Sequence, residues 1–375
     1  MTADDSGLSL WLTVLGFAHN PFGHPRAEKS QDDMLQKTYV YDKTLESLMR
    51  DPHKSVVFLA PFGGGKTAAR RYTSFWWESE QPETLVVIYK DFSTVARALP
   101  NCNLADHIEP IMRSIATAVA ARLTQEPERY TQLIAPEQEW WLRFFRKYAI
   151  SGLHNLLKSN LLLLDFIENS DAYQTVLASE KQEPFAATAS LSDRLTQISA
   201  ELHQLRFYQL LILVDEVDDH PQGDELADMQ SMLNPLFSVM SIYNPTLWKF
   251  FVPDMLTTFI KGSAARRKHA IKILPITWTK ENVKKFLKQR LDWASEGEVT
   301  SLNEMTADES FALVDLDEQL VELAIRYQKE SGIPRTLLEM GELLIKFTDE
   351  QDTKLLTKEV WDKYLVFVNE KYRQS

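Results

Sequence analysis

The chain has 375 residues, of which 44% are hydrophobic, so it is long enough to bury the core of one large or two modest globular domains. Its 41 basic and 53 acidic residues give a formal charge of −12, which argues against a broad nucleic-acid-binding surface but allows a local basic patch. Cys102 is the only cysteine, which excludes a disulfide framework and a zinc site built from thiolates. No apolar stretch reaches the length of a membrane span, and no secretory signal is evident. The sequence therefore predicts a cytoplasmic protein with no membrane partner.

The pattern of apolar residues predicts three parts. Residues 1–50 form an entry segment, in which a short apolar stretch with helical tendency precedes a proline-containing turn. Residues 51–277 form an α/β core with a parallel sheet, and a long helical insertion occupies about residues 91–207. The predicted strands of this core lie near residues 55–59, 84–89, 210–214, 247–253 and 270–274. Residues 278–375 show helical patterns only and form a predicted lid domain.

A glycine-rich stretch follows the first predicted strand and precedes a helix. Its sequence is Ala60-Pro61-Phe62-Gly63-Gly64-Gly65-Lys66-Thr67. Backbone N–H groups in such a loop converge on phosphate oxygens, and the following helix directs its positive end at them. Lys66 is therefore predicted to neutralise the β- and γ-phosphates of ATP, and Thr67 to bind Mg²⁺ through its hydroxyl. Ala60 stands where this pattern usually has glycine, which a negative φ tolerates. The alternative is an ordinary connection between a strand and a helix.

A second apolar run, residues 210–214, ends in two carboxylates, Asp215 and Glu216. A run without polar interruption is typical of a strand that is buried on both faces of a parallel sheet. Acidic residues at the carboxyl end of such a strand lie where open α/β sheets bind ligands. Asp215 is therefore predicted to hold the metal ion, and Glu216 to orient and deprotonate the attacking water. The alternative is a strand that ends in solvated acids.

The helical insertion contains a crowd of aromatic residues. Between Glu139 and Tyr148 the chain carries Trp140, Trp141, Phe144 and Phe145 interleaved with basic residues. Such a pattern fits either a surface that binds nucleic acid or protein, or a core helix with solvated basic residues on its far side, and we favour the core helix. The stretch from Asn169 to Ser190 is polar and poorly periodic, and it is predicted to be a mobile connection.

The order of strand, glycine-rich loop, helix, strand, acidic strand, two further strands and a helical lid resembles the AAA+ ATPase module, in particular the branch with STAND-type signalling ATPases and origin-recognition ATPases. The resemblance covers about residues 38–370 and leaves the insertion unexplained. It implies a P-loop NTPase core that binds ATP and Mg²⁺.

Three arginines acquire roles from this resemblance. Gly332-Ile333-Pro334-Arg335 resembles the lid motif whose arginine reaches the γ-phosphate, which makes Arg335 a candidate sensor of nucleotide state. Arg266 and Arg267 lie just before the last core strand, where the family inserts an arginine into the ATP site of a neighbouring subunit. The alternatives are a solvated Arg335 after a helix-starting proline and a solvated basic helix end at Arg266 and Arg267. The chain departs from the family where a polar residue should end the fourth strand, because Pro253 and Asp254 stand there.

These observations predict an ATP-binding and ATP-hydrolysing regulatory protein whose nucleotide state controls self-association or the recruitment of an unidentified protein effector, with a defence or signalling role implied by resemblance alone. A DNA-associated ATPase of the same superfamily is one alternative, supported by the basic stretch 261–272 and opposed by the net charge. A small-molecule kinase and a nucleotide-gated scaffold with little hydrolysis are the others.

Overall fold

The computed structural model describes residues 10–23, 32–40, 43–149, 152–179, 183–219, 224–240, 246–263, 271–306, 311, 313–328, 332–351 and 355–373. Its strands are β1 Ser55–Ala60, β2 Thr84–Tyr89, β3 Gln209–Val214, β4 Thr246–Pro253 and β5 Ile271–Pro275. Its α-helices are α1 Leu10–Val14, α2 Asp32–Thr38, α3 Lys43–Arg50, α4 Lys66–Glu80, α5 Ser93–Ala96, α6 Leu104–Gln125, α7 Glu128–Thr131, α8 Ala135–Tyr148, α9 Gly152–Leu157, α10 Leu161–Glu168, α11 Asp171–Ala178, α12 Leu191–Gln204, α13 Glu225–Met240, α14 Thr257–Gly262, α15 Lys280–Ala294, α16 Leu316–Arg326, α17 Ile333–Glu350 and α18 Lys358–Arg373. Short 3₁₀ helices occupy Val217–Asp219, Asp254–Leu256 and Leu302–Met305.

The five strands form one parallel sheet in the order β2-β3-β4-β1-β5. The register pairs Thr84 with Gln209 at one end of β2 and Tyr89 with Val214 at the other. Strands β3 and β4 are almost completely buried, which explains why their sequences are apolar without alternation. The coarser part of the predicted fold class, an α/β fold with a parallel sheet, is confirmed, and the strands lie within a residue or two of their predicted positions.

The described part of the insertion at 91–207 is helical, as predicted. Trp141, Phe144 and Phe145 of α8 are at most 1% exposed and belong to the hydrophobic core that also covers the sheet. The basic residues of the same helix have local partners, since Arg143 contacts Glu139 at 2.7 Å and Arg146 donates to a backbone carbonyl of α11. The core interpretation of this aromatic helix is therefore confirmed.

The prediction of a mobile connection between Asn169 and Ser190 is wrong for the part that contains α11. This helix starts with Ser170, whose hydroxyl accepts a hydrogen bond from the N–H of Tyr173. Its buried residues, Ala172 and Val176, are four apart and pack in the same core as α8. A helix of eight residues with only two buried positions gives too weak a periodic signal to be predicted, because tertiary packing stabilises it.

The described chain divides into two compact units, one of Ser47–Leu59 and Thr73–Leu274, the other of Met1–Glu46, Ala60–Tyr72 and Pro275–Ser375. The second unit has its own hydrophobic core, in which Trp11, Phe17 and Phe22 pack with α15 to α18. The Phe22 ring fills the space beside Gly341, where any side chain would overlap it. The buried guanidinium of Arg290 donates to the carbonyls of Pro21 and Gly23, each at 2.7 Å. These contacts make the N-terminal turn part of the core of the C-terminal helices.

Among the described residues, no helix combines the length and the apolar composition that crossing a membrane requires.

Candidate functional site

The glycine-rich loop, Ala60 to Thr67, joins the end of β1 to the start of α4 and depends on its three glycines. Gly63 and Gly65 have φ angles of +70° and +95°, a region that other residues seldom adopt. A Cβ on Gly64 would approach Pro61 to 2.9 Å, and the Gly64 N–H donates to the Pro61 carbonyl at 2.9 Å. Loops in which the sign of φ alternates can direct their remaining N–H groups into one concavity suited to anions.

Lys66 is the first residue of the 15-residue helix α4, and only 7% of it is exposed. Its ammonium lies 6.0 Å from the centre of the Phe62 ring, and the half-buried Thr67 follows it. The first N–H groups of a helix have no acceptor within the helix, and the helix dipole adds partial positive charge there. Lys66, Thr67 and the helix start therefore supply the positive charge and the hydroxyl that were predicted from the sequence.

Three parts of the C-terminal region contact this loop within the same compact unit. The indole Nε1–H of Trp278 donates to the carbonyl of Gly64 at 2.9 Å. The backbone N–H of Gly332 donates to the carbonyl of Phe62 at 2.5 Å. The guanidinium of Arg335 lies 4.4 Å from the centre of the Phe62 ring. The structure thus places Arg335 beside the glycine-rich loop.

Gly332 owes its identity to this contact. A Cβ at Gly332 would overlap the backbone of Gly63 and Gly64, so only glycine allows α17 to begin so close to the loop. The predicted motif Gly332-Ile333-Pro334-Arg335 therefore has a physical basis, with Pro334 in the first turn of α17 and Arg335 directed at the loop.

Trp278 was not predicted. It lies in the short stretch between β5 and α15, where a single tryptophan gives no periodic or motif signal. Its ring packs edge-on against Phe286 of α15, with ring centres 5.7 Å apart, and its Cζ2 atom lies 3.6 Å from where a Cβ on Gly65 would be.

The acidic end of β3 belongs to the other compact unit. Asp215 is 1% exposed, and its N–H donates to the carbonyl of Tyr89 at 3.2 Å. Glu216 has a φ of +61°, which is costly for a residue with a side chain and is typical of functional positions. Lys90, the residue after β2, places its Nζ 3.3 Å from Oε1 of Glu216. The predicted water-activating carboxylate is thus held in an ion pair.

The sheet topology adds a reason to regard this edge as functional. Strands β1 and β4 are neighbours, yet the chain leaves β1 toward β2 on one side of the sheet and leaves β4 toward β5 on the other. Open α/β sheets bind ligands at the carboxyl ends of neighbouring strands whose connections run in opposite directions. Asp215 follows β3, the other neighbour of β4.

The structure gives less information about the remaining predicted residues. Arg266 and Arg267 lie outside the described residues. Asp254 is exposed and begins a 3₁₀ helix directly after β4. The described residues contain no group of three or more His, Cys, Asp and Glu that could hold a metal ion without a bound ligand.

The sequence matches no protein-family model, and no curated protein is significantly similar to it.

Proposed function

We propose that this protein binds ATP with Mg²⁺ through the glycine-rich loop and hydrolyses it, as a regulatory P-loop ATPase of the AAA+/STAND-like kind. The observation that carries the proposal is the loop itself, in which two glycines with positive φ lead into the buried Lys66 at the start of a long helix. A concavity of N–H groups, a buried ammonium and a helix N-terminus together fit a polyphosphate.

Each residue of the proposed site has a role that follows from its chemistry. Ala60 to Gly65 would wrap the phosphates, Lys66 would neutralise charge on the β- and γ-phosphates, and Thr67 and Asp215 are the residues that would hold Mg²⁺. Glu216 accepts a proton from the attacking water, so that a bond forms from the water oxygen to the γ-phosphorus while the bond to the bridging oxygen breaks. The bound metal ion would neutralise charge on the phosphate oxygens.

Arg335 is the residue we assign to sensing the γ-phosphate, since it already lies against Gly63 and Phe62 of the loop. A change in phosphate content would then alter the contacts of α17, and through this helix the association with a second copy or an effector protein. We propose that Arg266 and Arg267 enter the ATP site of a neighbouring subunit. This role rests on the sequence resemblance.

The ion pair between Lys90 and Glu216 favours a second candidate, a nucleotide-gated scaffold with little turnover. The ammonium of Lys90 engages Oε1 of Glu216, an oxygen that would otherwise be able to accept a hydrogen bond from the attacking water. For such a scaffold, hydrolysis would require Lys90 to move away from Glu216.

The test is ATP binding and phosphate release by the wild type, Lys66→Ala and Glu216→Gln, with Lys54→Ala as the control for loss of a lysine that is half exposed and lies before β1. We expect Lys66→Ala to weaken ATP binding at least about tenfold, because a charge-assisted hydrogen bond contributes roughly 1.5–3 kcal/mol. Glu216→Gln should keep the affinity and lose turnover. No ATP binding by the wild type, or equal affinity in Lys66→Ala, would overturn the proposal, and a phosphorylated small-molecule product would replace it with a kinase.

A further inference from the structure

Two carbonyls of the glycine-rich loop are hydrogen-bonded by the C-terminal region, and both precede a glycine with positive φ. The Gly64 carbonyl accepts from the indole of Trp278 at 2.9 Å and precedes Gly65, whose φ is +95°. The Phe62 carbonyl accepts from the backbone of Gly332 and precedes Gly63, whose φ is +70°. Because the same arrangement occurs twice, we infer that both contacts fix the orientation of peptide groups in the loop.

A trans peptide group is planar, and its C=O and N–H point in opposite directions. When Trp278 holds the Gly64 carbonyl, the N–H of Gly65 is therefore directed away from the indole. The Gly332 contact fixes the N–H of Gly63 in the same manner. Peptide groups next to glycine rotate more easily than others because no Cβ restricts them, so their orientation has to be imposed from outside the loop.

We propose that Trp278 is a positioning residue for phosphate binding: its indole N–H fixes the peptide between Gly64 and Gly65 so that the Gly65 N–H is oriented in advance for a phosphate oxygen. This inference rests on the proposed ATP-binding function. Trp278 itself does not contact the phosphate. Its effect belongs to the polyphosphate part of the ligand, whereas a tryptophan that stacked on a nucleobase would affect the nucleoside part.

The experiment measures dissociation constants for ATP, inorganic tripolyphosphate and adenosine, each with Mg²⁺, in the wild type and in Trp278→Phe. Trp293→Phe is the matched control, because Trp293 also loses an indole N–H bond, the one to Asp33 at 3.1 Å, at a place remote from the loop in sequence and in hydrogen bonding. Thermal unfolding of both variants verifies that they are folded.

We expect Trp278→Phe to weaken ATP and tripolyphosphate by the same factor, on the order of 3- to 10-fold, since one hydrogen bond of this kind is lost. Adenosine binding should not change, and Trp293→Phe should resemble the wild type. Unchanged ATP affinity in Trp278→Phe, or a loss shared by ATP and adenosine but not by tripolyphosphate, would overturn the assignment. If the wild type binds none of the three ligands, the proposed function fails, and that result is distinct from a failure of the role of Trp278.

Discussion

Lys249 offers a prediction that the structure makes quantitative. It lies in the middle of β4 with no exposed surface, and its Nζ donates to the carbonyls of Leu48 at 2.8 Å and Asp51 at 3.2 Å. The ring of Trp77 is the other neighbour, at 5.7 Å from Nζ to the ring centre. Burial lowers the pKa of Lys249 from 10.5 to about 7, although the negative charge of Asp51 opposes the change.

The sign of the pH effect follows from the two states. Between pH 7 and pH 10.5 the unfolded chain keeps a proton on Lys249 that the folded chain releases. Stability therefore rises with pH across this window, by about 1.4 kcal/mol per pH unit in its middle, and this contribution becomes flat well below pH 7, where both states are protonated. From pH 7 to pH 9 the gain is about 2 kcal/mol, since at pH 7 half of the folded molecules still carry the proton.

Replacing Lys249 by Met should remove this slope. The substitution also leaves the carbonyls of Leu48 and Asp51 without their donor, but that loss does not depend on pH, so the comparison uses slopes and not levels. Urea unfolding followed by tryptophan fluorescence at pH 7, 8 and 9 gives the free energy of unfolding of the wild type and of Lys249→Met. Lys272→Met, which removes an exposed lysine from β5, is the control and should keep the wild-type slope. Parallel pH dependence in the wild type and Lys249→Met would refute the argument from burial.

Three further predictions concern the candidate site. Gly332→Ala should weaken ATP binding, measured by calorimetric titration, about tenfold or more, because the new Cβ overlaps the loop backbone and forces α17 away. Gly262→Ala is the control, because a Cβ at that position meets open space. Lys90→Met should raise the rate of phosphate release at unchanged ATP affinity by releasing Glu216, and a fall in rate would instead make Lys90 an orienting residue. The double variant Arg266→Ala/Arg267→Ala should lose assembly in the presence of a non-hydrolysable ATP analogue, measured as particle mass; a monomeric wild type under the same conditions would contradict the trans-acting role.

The features predicted correctly from sequence are those with a strong local cause. Strands β1 and β3 are short, apolar and bounded by turn residues or acids, so their positions follow from the chain alone. The glycine-rich loop was predicted for the same reason, because its composition, its strand and its helix are contiguous.

The features that could not be predicted depend on contacts between distant residues. Trp278 contacts Gly64 across 214 positions of sequence, and Lys249 reaches the carbonyl of Leu48 across 201. A lysine within an apolar run would ordinarily count against a buried central strand, since a charge is costly to bury. Two carbonyl acceptors at the end of α3 offset the cost of burying Lys249 in β4. No local sequence pattern predicts that the end of α3 lies beside β4.

The division of the chain into two units has a consequence for its synthesis. The stretch Ala60–Tyr72, which contains the whole glycine-rich loop, belongs to a unit completed only by Pro275–Ser375. Domains fold as units while the ribosome delivers the chain from its N-terminus, and contacts between distant residues form late. A nascent chain that ends before residue 275 already contains all of the unit that carries most of the sheet, but it lacks both Trp278 and Gly332. We therefore expect the proposed nucleotide binding to arise only after Trp278 and Gly332 have been synthesised, so that a product terminated before residue 275 would fold in part yet bind no ATP.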